Sequence, residues 1–157
     1  MSKPRIITVS GSGADVGKTA LVEKLVGIVP DCGAIKLRPE EDLSAEVIEE
    51  TASGGEPRKD TERMLAAGAV RAWLVQGPAE WTLEKLRELL RESDCDTVVI
   101  ESNYAAKEIE PDLSFYVKGP GPAKPGALTV ENDADIIVLS TSLTGENRDA
   151  TRNTRQD

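Results

Sequence analysis

Ten residues near the start of the chain, Ser10-Gly11-Ser12-Gly13-Ala14-Asp15-Val16-Gly17-Lys18-Thr19, constrain its fold more than any other stretch. An apolar run, Ile6-Ile7-Thr8-Val9, precedes them, and Ala20-Leu21-Val22-Glu23-Lys24-Leu25 follows with helical periodicity. Strand, glycine-rich turn and helix form the context that a phosphate-binding loop requires. Backbone N–H groups of the loop turn inward on a polyphosphate, and the helix N-terminus adds the positive end of its dipole. On this reading Gly11, Ser12, Gly13, Ala14, Asp15, Val16, Gly17, Lys18, Thr19 and Ala20 surround the phosphates. The Lys18 ammonium reaches the terminal phosphates, and the Thr19 hydroxyl is a ligand for Mg2+. The usual spacing is Gly, four residues, Gly-Lys-Ser/Thr. Counting back from Gly17 places Ser12 at the first position, with Gly11 and Gly13 on either side to supply backbone freedom. The competing reading is a glycine-rich turn with a surface lysine.

A length of 157 residues suits one nucleotide-binding domain over residues 1–145, with residues 146–157 as a frayed tail. Aromatic residues are few (Trp73, Trp81, Tyr104, Phe115 and Tyr116), so the core has to be aliphatic, as in a parallel sheet. The net charge of −9 argues against a general nucleic-acid or anionic-membrane binder. It does not argue against one nucleotide, because a lysine, a nest of N–H groups and Mg2+ supply a local positive field. The absence of histidine removes imidazole bases and imidazole metal ligands. Cys32 and Cys95, far apart and without Cys-x-x-Cys spacing, read as two buried or half-buried thiols, with a disulfide as the alternative. No apolar run has the length of a membrane helix and no signal-peptide pattern opens the chain, so a cytoplasmic protein is expected.

Alternating patterns predict strands over residues 5–10, 33–37, 70–75, 97–101, 113–117 and 135–140, and helices over 18–29, from Asp60 to Gly68, and from Thr82 onward. Leu21, Leu25 and Ile28 are expected on the inner face of the first helix, and Leu83, Leu86, Leu89 and Leu90 on that of the third. Residues 38–59 form a polar, glutamate-rich insertion. It is read as mobile apart from a short helix capped by Ser44 and running through Val47 and Ile48. Residues 118–126, with three prolines and three glycines, read as a loop. The expected fold is α/β: a P-loop NTPase-like, mostly parallel sheet with helices on both faces. In such sheets ligands bind beyond the carboxyl ends of the strands, where the phosphate loop, Lys36, Glu101 and Ser140 all fall.

Glu101 ends an apolar strand and is the second candidate metal ligand, or else a solvated strand-end carboxylate. Asp60 is the third: a helix N-cap, a group that holds metal and positions water, or both. Asp15 either orients a nucleophile or is a turn residue. Lys36 contacts phosphate or a substrate carboxylate, or lies solvated over the sheet. Arg38, Arg58, Lys59 and Arg63 flank the polar insertion, where one of them can stabilise charge. The base-reading loop is expected after the last strand, where Asn147 is a candidate contact; the guanine motif Asn-Lys-x-Asp is absent.

Three blocks resemble the MobB family, accessory proteins of molybdopterin-guanine-dinucleotide synthesis. They are Gly17-Lys18-Thr19-Ala20-Leu21-Val22-Glu23-Lys24-Leu25, then Ala34-Ile35-Lys36, then Lys59-Asp60-Thr61-Glu62-Arg63-Met64-Leu65-Ala66-Ala67-Gly68-Ala69. Val98-Val99-Ile100-Glu101 adds a weaker match. The chain departs from that family at Leu37-Arg38, where histidines are usual, at Ser102 in place of glycine, and throughout the region after Tyr104. The resemblance implies GTP binding with slow hydrolysis, a protein partner in molybdenum-cofactor biosynthesis, and a homodimer. The loop from Gly11 to Thr19 also resembles dethiobiotin synthetase. That likeness implies an ATP-dependent ligase, with Thr19, Asp60 and Glu101 holding Mg2+ and Lys36 binding a substrate acid group. The remaining alternative is a nucleotide-binding module without catalysis. In the first two readings Lys18, Asp60 and Glu101 carry the chemistry.

Overall fold

The computed structural model describes residues 3–14, 16–52, 57, 59–123 and 126–143. Its strands are β1 (Arg5–Gly11), β2 (Cys32–Pro39), β3 (Glu46–Glu49), β4 (Arg71–Gly77), β5 (Thr97–Glu101), β6 (Leu113–Lys118) and β7 (Ile136–Leu139). They form one sheet in the order β3-β4-β2-β5-β1-β6-β7. Every pairing is parallel except that of β3 with β4. The helices are α1 (Lys18–Ile28), α2 (Asp60–Ala67), α3 (Ala79–Glu92), α4 (Asn103–Glu108) and α5 (Ala127–Asp133).

Alternation along the central strands sorts side chains onto two faces. Val9, Ala34, Ala72 and Val99 meet Leu21, Val22, Leu25 and Val26 of α1 and Met64 of α2. Their neighbours Ile35, Trp73, Val98 and Ile100 meet Leu83 and Leu86 of α3 and Ala105 of α4. Helices therefore cover both faces, as the sequence predicts. Such a sheet leaves its strand ends as the place where polar groups can gather, and β5, buried along its whole length, delivers Glu101 there.

Several local expectations are corrected. Residues 46–49 form an edge strand, not a helix. β-Branched Val47 and Ile48 pair with Val75 and Leu74, while Glu46 and Glu49 take hydrogen bonds from Gln76 and Arg71. Residues 38 and 39 of the supposed insertion belong to β2. Ile28 is 78% exposed, and Val22 and Val26 take its place on the buried side of α1. α3 starts three residues before Thr82, with Pro78 as its N-cap. Asp60 is the first residue of α2, after Lys59 at the N-cap position, and no side-chain cap bond is made. Gly68, at φ 127°, closes that helix, since its N–H reaches Met64 and Leu65 carbonyls in a conformation that side chains resist. Helices α4 and α5 fall where none was expected. Both cysteines are free and buried, and burial, with Cys95 next in importance, pushes the Cys32 thiol up to about 11.

Candidate functional site

The carboxyl ends of β1, β2 and β5 open into a cleft of about 780 Å³. Gly13, Ala14, Gly17, Lys18, Thr19 and Ala20 form one wall, and Lys36, Asp60 and Glu101 stand opposite. Of the sequence-predicted loop residues, Gly11, Ser12 and Val16 do not line it; Asp15 lies outside the described residues, as do Arg58 and Asn147. Lys59 and Ser140 are not part of its lining either.

Local geometry shapes the phosphate loop. Gly17 is the N-cap of α1 at φ 107°, a conformation suited to glycine, and a Cβ there would lie 3.2 Å from Leu143 Cδ1. The first turn of α1 carries no acidic residue of its own to offset the positive end of its dipole. Behind the loop, Asn103 makes a reciprocal pair with Gly11. It accepts the Gly11 N–H at 2.9 Å and donates to the Gly11 carbonyl at 2.8 Å. Ser102 caps α4 by accepting the Ala105 N–H at 3.0 Å. The helix after Glu101 is thereby fixed to the loop.

The charged groups form one network. Parallel register places Lys36 directly opposite Glu101. Thr19 donates its hydroxyl to Glu101 Oε1 at 2.9 Å, while the other carboxylate oxygen lies 3.6 Å from Lys36 Nζ. The same ammonium bonds to Asp60, whose second oxygen is 3.7 Å from the Arg63 guanidinium. Arg63 also pairs with Glu23 of α1. Burial alone would raise the Asp60 carboxyl, but the Lys36 ammonium, and then Arg63, hold it below the ordinary range. Glu101 is buried, so its charge depends on Lys36 and Thr19 for compensation. Among the described residues the cleft is lined by five cationic side chains, Lys18, Lys36, Arg38, Arg63 and Lys107, against Glu40, Asp60 and Glu101. In a chain of net charge −9 this is a local reversal of sign that favours an anion.

The donor set suits a hard cation. Two carboxylates and a hydroxyl, all oxygen donors, converge around the Lys36 ammonium. Magnesium needs few protein oxygens because it keeps water and takes phosphate oxygens. Among the described residues no group of three or more His, Cys, Asp or Glu is placed to cage a metal, so the residues fit a shared ligand rather than a closed site.

Sequence reading missed Asn103, Tyr104 and Lys107, which enter the cleft from α4. The available signal was Ser102, a good N-cap residue directly after a strand, with helix-forming Ala105-Ala106-Lys107-Glu108 behind it.

No family model matches the chain, and no curated protein matches it. Among solved structures it is similar to LpxK from Aquifex aeolicus in complex with ATP, with a TM-score of 0.57 and 18% sequence identity. The match covers 87% of this chain and 48% of LpxK, so the chain spans about half the length of that protein. The fold is P-loop NTPase-like. Among the described residues no helix is long and apolar enough to cross a membrane.

Proposed function

We propose that the cleft binds a magnesium–nucleoside triphosphate. The observation that carries this reading is the Thr19–Glu101–Lys36–Asp60 network at the N-terminus of α1, beside a loop with phosphate-binding spacing. LpxK, the structural neighbour, is an ATP complex, which agrees with it. Lys18 and the loop backbone would bind the phosphates; Thr19 would hold magnesium together with Glu101 and Asp60. When bound, the ion neutralises charge on the phosphate oxygens. Lys36 would turn from the carboxylates toward the phosphates once the ion takes over its compensating role. No histidine is available as a base and, among the described residues, no other strong general base stands at the site, which suits slow hydrolysis driven by positioning and charge.

The MobB-like blocks favour GTP and an accessory role in molybdenum-cofactor biosynthesis with a protein partner in the cytoplasm. A second reading, ATP-dependent phosphoryl transfer to a small carboxylate in the manner of dethiobiotin synthetase, draws on a different feature. The cleft continues past the phosphate loop along Leu37, Arg38, Pro39 and Glu40, where an acceptor would lie. The reading without catalysis is separated from both by turnover. Phosphate release from GTP and from ATP, with Glu101→Gln as control, is the test. Slow release from GTP that falls at least tenfold in the variant supports the accessory GTPase. Release from ATP only when a small acid is added supports the ligase, and no release from either nucleotide supports a silent module.

A further inference from the structure

Ser12, the one departure from the usual loop spacing, is turned away from the cleft and is buried, 6% exposed. Its N–H donates to the Val117 carbonyl at 3.0 Å, which carries the β1–β6 ladder one step beyond Gly11. Its Oγ accepts the Gly119 N–H at 2.9 Å. Gly119 has no room for a side chain: a Cβ there would lie 2.5 Å from Val16 Cγ1 and 3.4 Å from Ser12 Oγ. The other limb of the loop, through Val16, thus closes on the same glycine. A hydroxyl that accepts one bond keeps a proton to donate. The Tyr116 phenol oxygen nearby is wholly buried and has no hydrogen-bond partner among the described residues.

We propose that Ser12 is a positioning residue for nucleotide binding: its hydroxyl ties the first limb of the phosphate loop to the Gly119 amide, which a glycine at this position cannot do. The glycine of the usual pattern lets backbone approach phosphate freely. Here the loop gets its shape from outside, from the segment that follows β6. The proposal rests on the nucleotide reading above.

The test compares Ser12→Gly, Ser12→Ala and Ser12→Thr by Mg–ATP and Mg–GTP titration and by native-state amide exchange at Gly119. Ser12→Gly restores the usual spacing, yet it is expected to weaken nucleotide binding about tenfold and to speed exchange at Gly119 about tenfold. The thermal midpoint of the nucleotide-free protein should change little. Ser12→Thr, which keeps the hydroxyl, should bind within about threefold of wild type. Ser12→Ala, which loses the hydroxyl without gaining the backbone freedom of glycine, should weaken binding as Ser12→Gly does. Unchanged or tighter nucleotide binding by Ser12→Gly, or unchanged protection at Gly119, overturns the proposal. Faster exchange at Gly119 in a protein that binds neither nucleotide defeats the nucleotide reading instead, and leaves the serine as a structural tie without a positioning role.

Discussion

Lys36 is the residue on which the electrostatics of the site turn, because one ammonium serves both the buried Glu101 and the half-buried Asp60. Its removal leaves two neighbouring carboxylates without their shared cation. Lys36→Ala is therefore expected to lose about 2 kcal/mol in urea denaturation at neutral pH, less than for a fully buried pair because the lysine is partly solvated. The pH dependence follows from Asp60. Its folded pKa lies below the ordinary 3.8, so its contribution is fully present above that value and is lost as pH falls through the folded one. The stability difference between wild type and Asp60→Asn should be flat from pH 7 to about 5 and should shrink below about 3.8. Thermal melts of the two proteins across that range check it, and a difference that grows on acidification contradicts the pairing. Glu101 was legible in the sequence because it ends an apolar β run; Lys36 was expected at the end of β2 but lies three residues inside it, where parallel register sets it beside Glu101. Asp60 was legible as a helix start, but its carboxylate serves Lys36 and Arg63 rather than the helix N-terminus.

At the scale of elements, α4 is the piece that joins loop and sheet. It has six residues, too few to hold a helix by propensity, and it is secured by the Ser102 cap and the Asn103–Gly11 pair. Asn103→Ala removes two hydrogen bonds to one loop residue. It is expected to cost about 2 kcal/mol of stability and to weaken Mg–nucleotide binding; chemical denaturation and titration on the same sample read both. Retained affinity would mean that the loop keeps its shape without α4. In the sequence only the local part of this support was visible, the Ser102 cap, while the Asn103–Gly11 pair joins residues about ninety positions apart in the chain. β3 was hidden for a related reason. Four residues flanked by glutamates look like part of a polar insertion until β4 supplies Gln76 and Arg71 as partners. The long, strongly patterned elements β1, α1, α3 and β5 needed no such help, since their periodicity already determines which side is buried.

For the whole molecule, the two sheet edges differ. β3 is guarded by Glu46 and Glu49, whereas β7 reads Ile-Ile-Val-Leu with Ile136, Ile137 and Leu139 about half exposed and, among the described residues, no neighbour on its outer side. An uncharged edge of this kind invites pairing with another strand. A homodimer of the kind that the MobB resemblance implies would form by pairing β7 with its copy. Wild type is then expected to sediment as a dimer and Ile137→Lys as a monomer; a wild-type monomer at every concentration would rule out that assembly. The sheet order brings β1, β2 and β5 together at the centre, so the phosphate loop, Lys36 and Glu101 share one address. That convergence is what makes nucleotide binding the central claim. The most direct measurement is calorimetric titration with Mg–GTP and Mg–ATP of wild type and of Lys18→Ala. Saturable one-to-one binding by wild type, weakened at least a hundredfold in the variant and absent without magnesium, is the result this account predicts. Binding of neither nucleotide by wild type, or equal binding by Lys18→Ala, would contradict it.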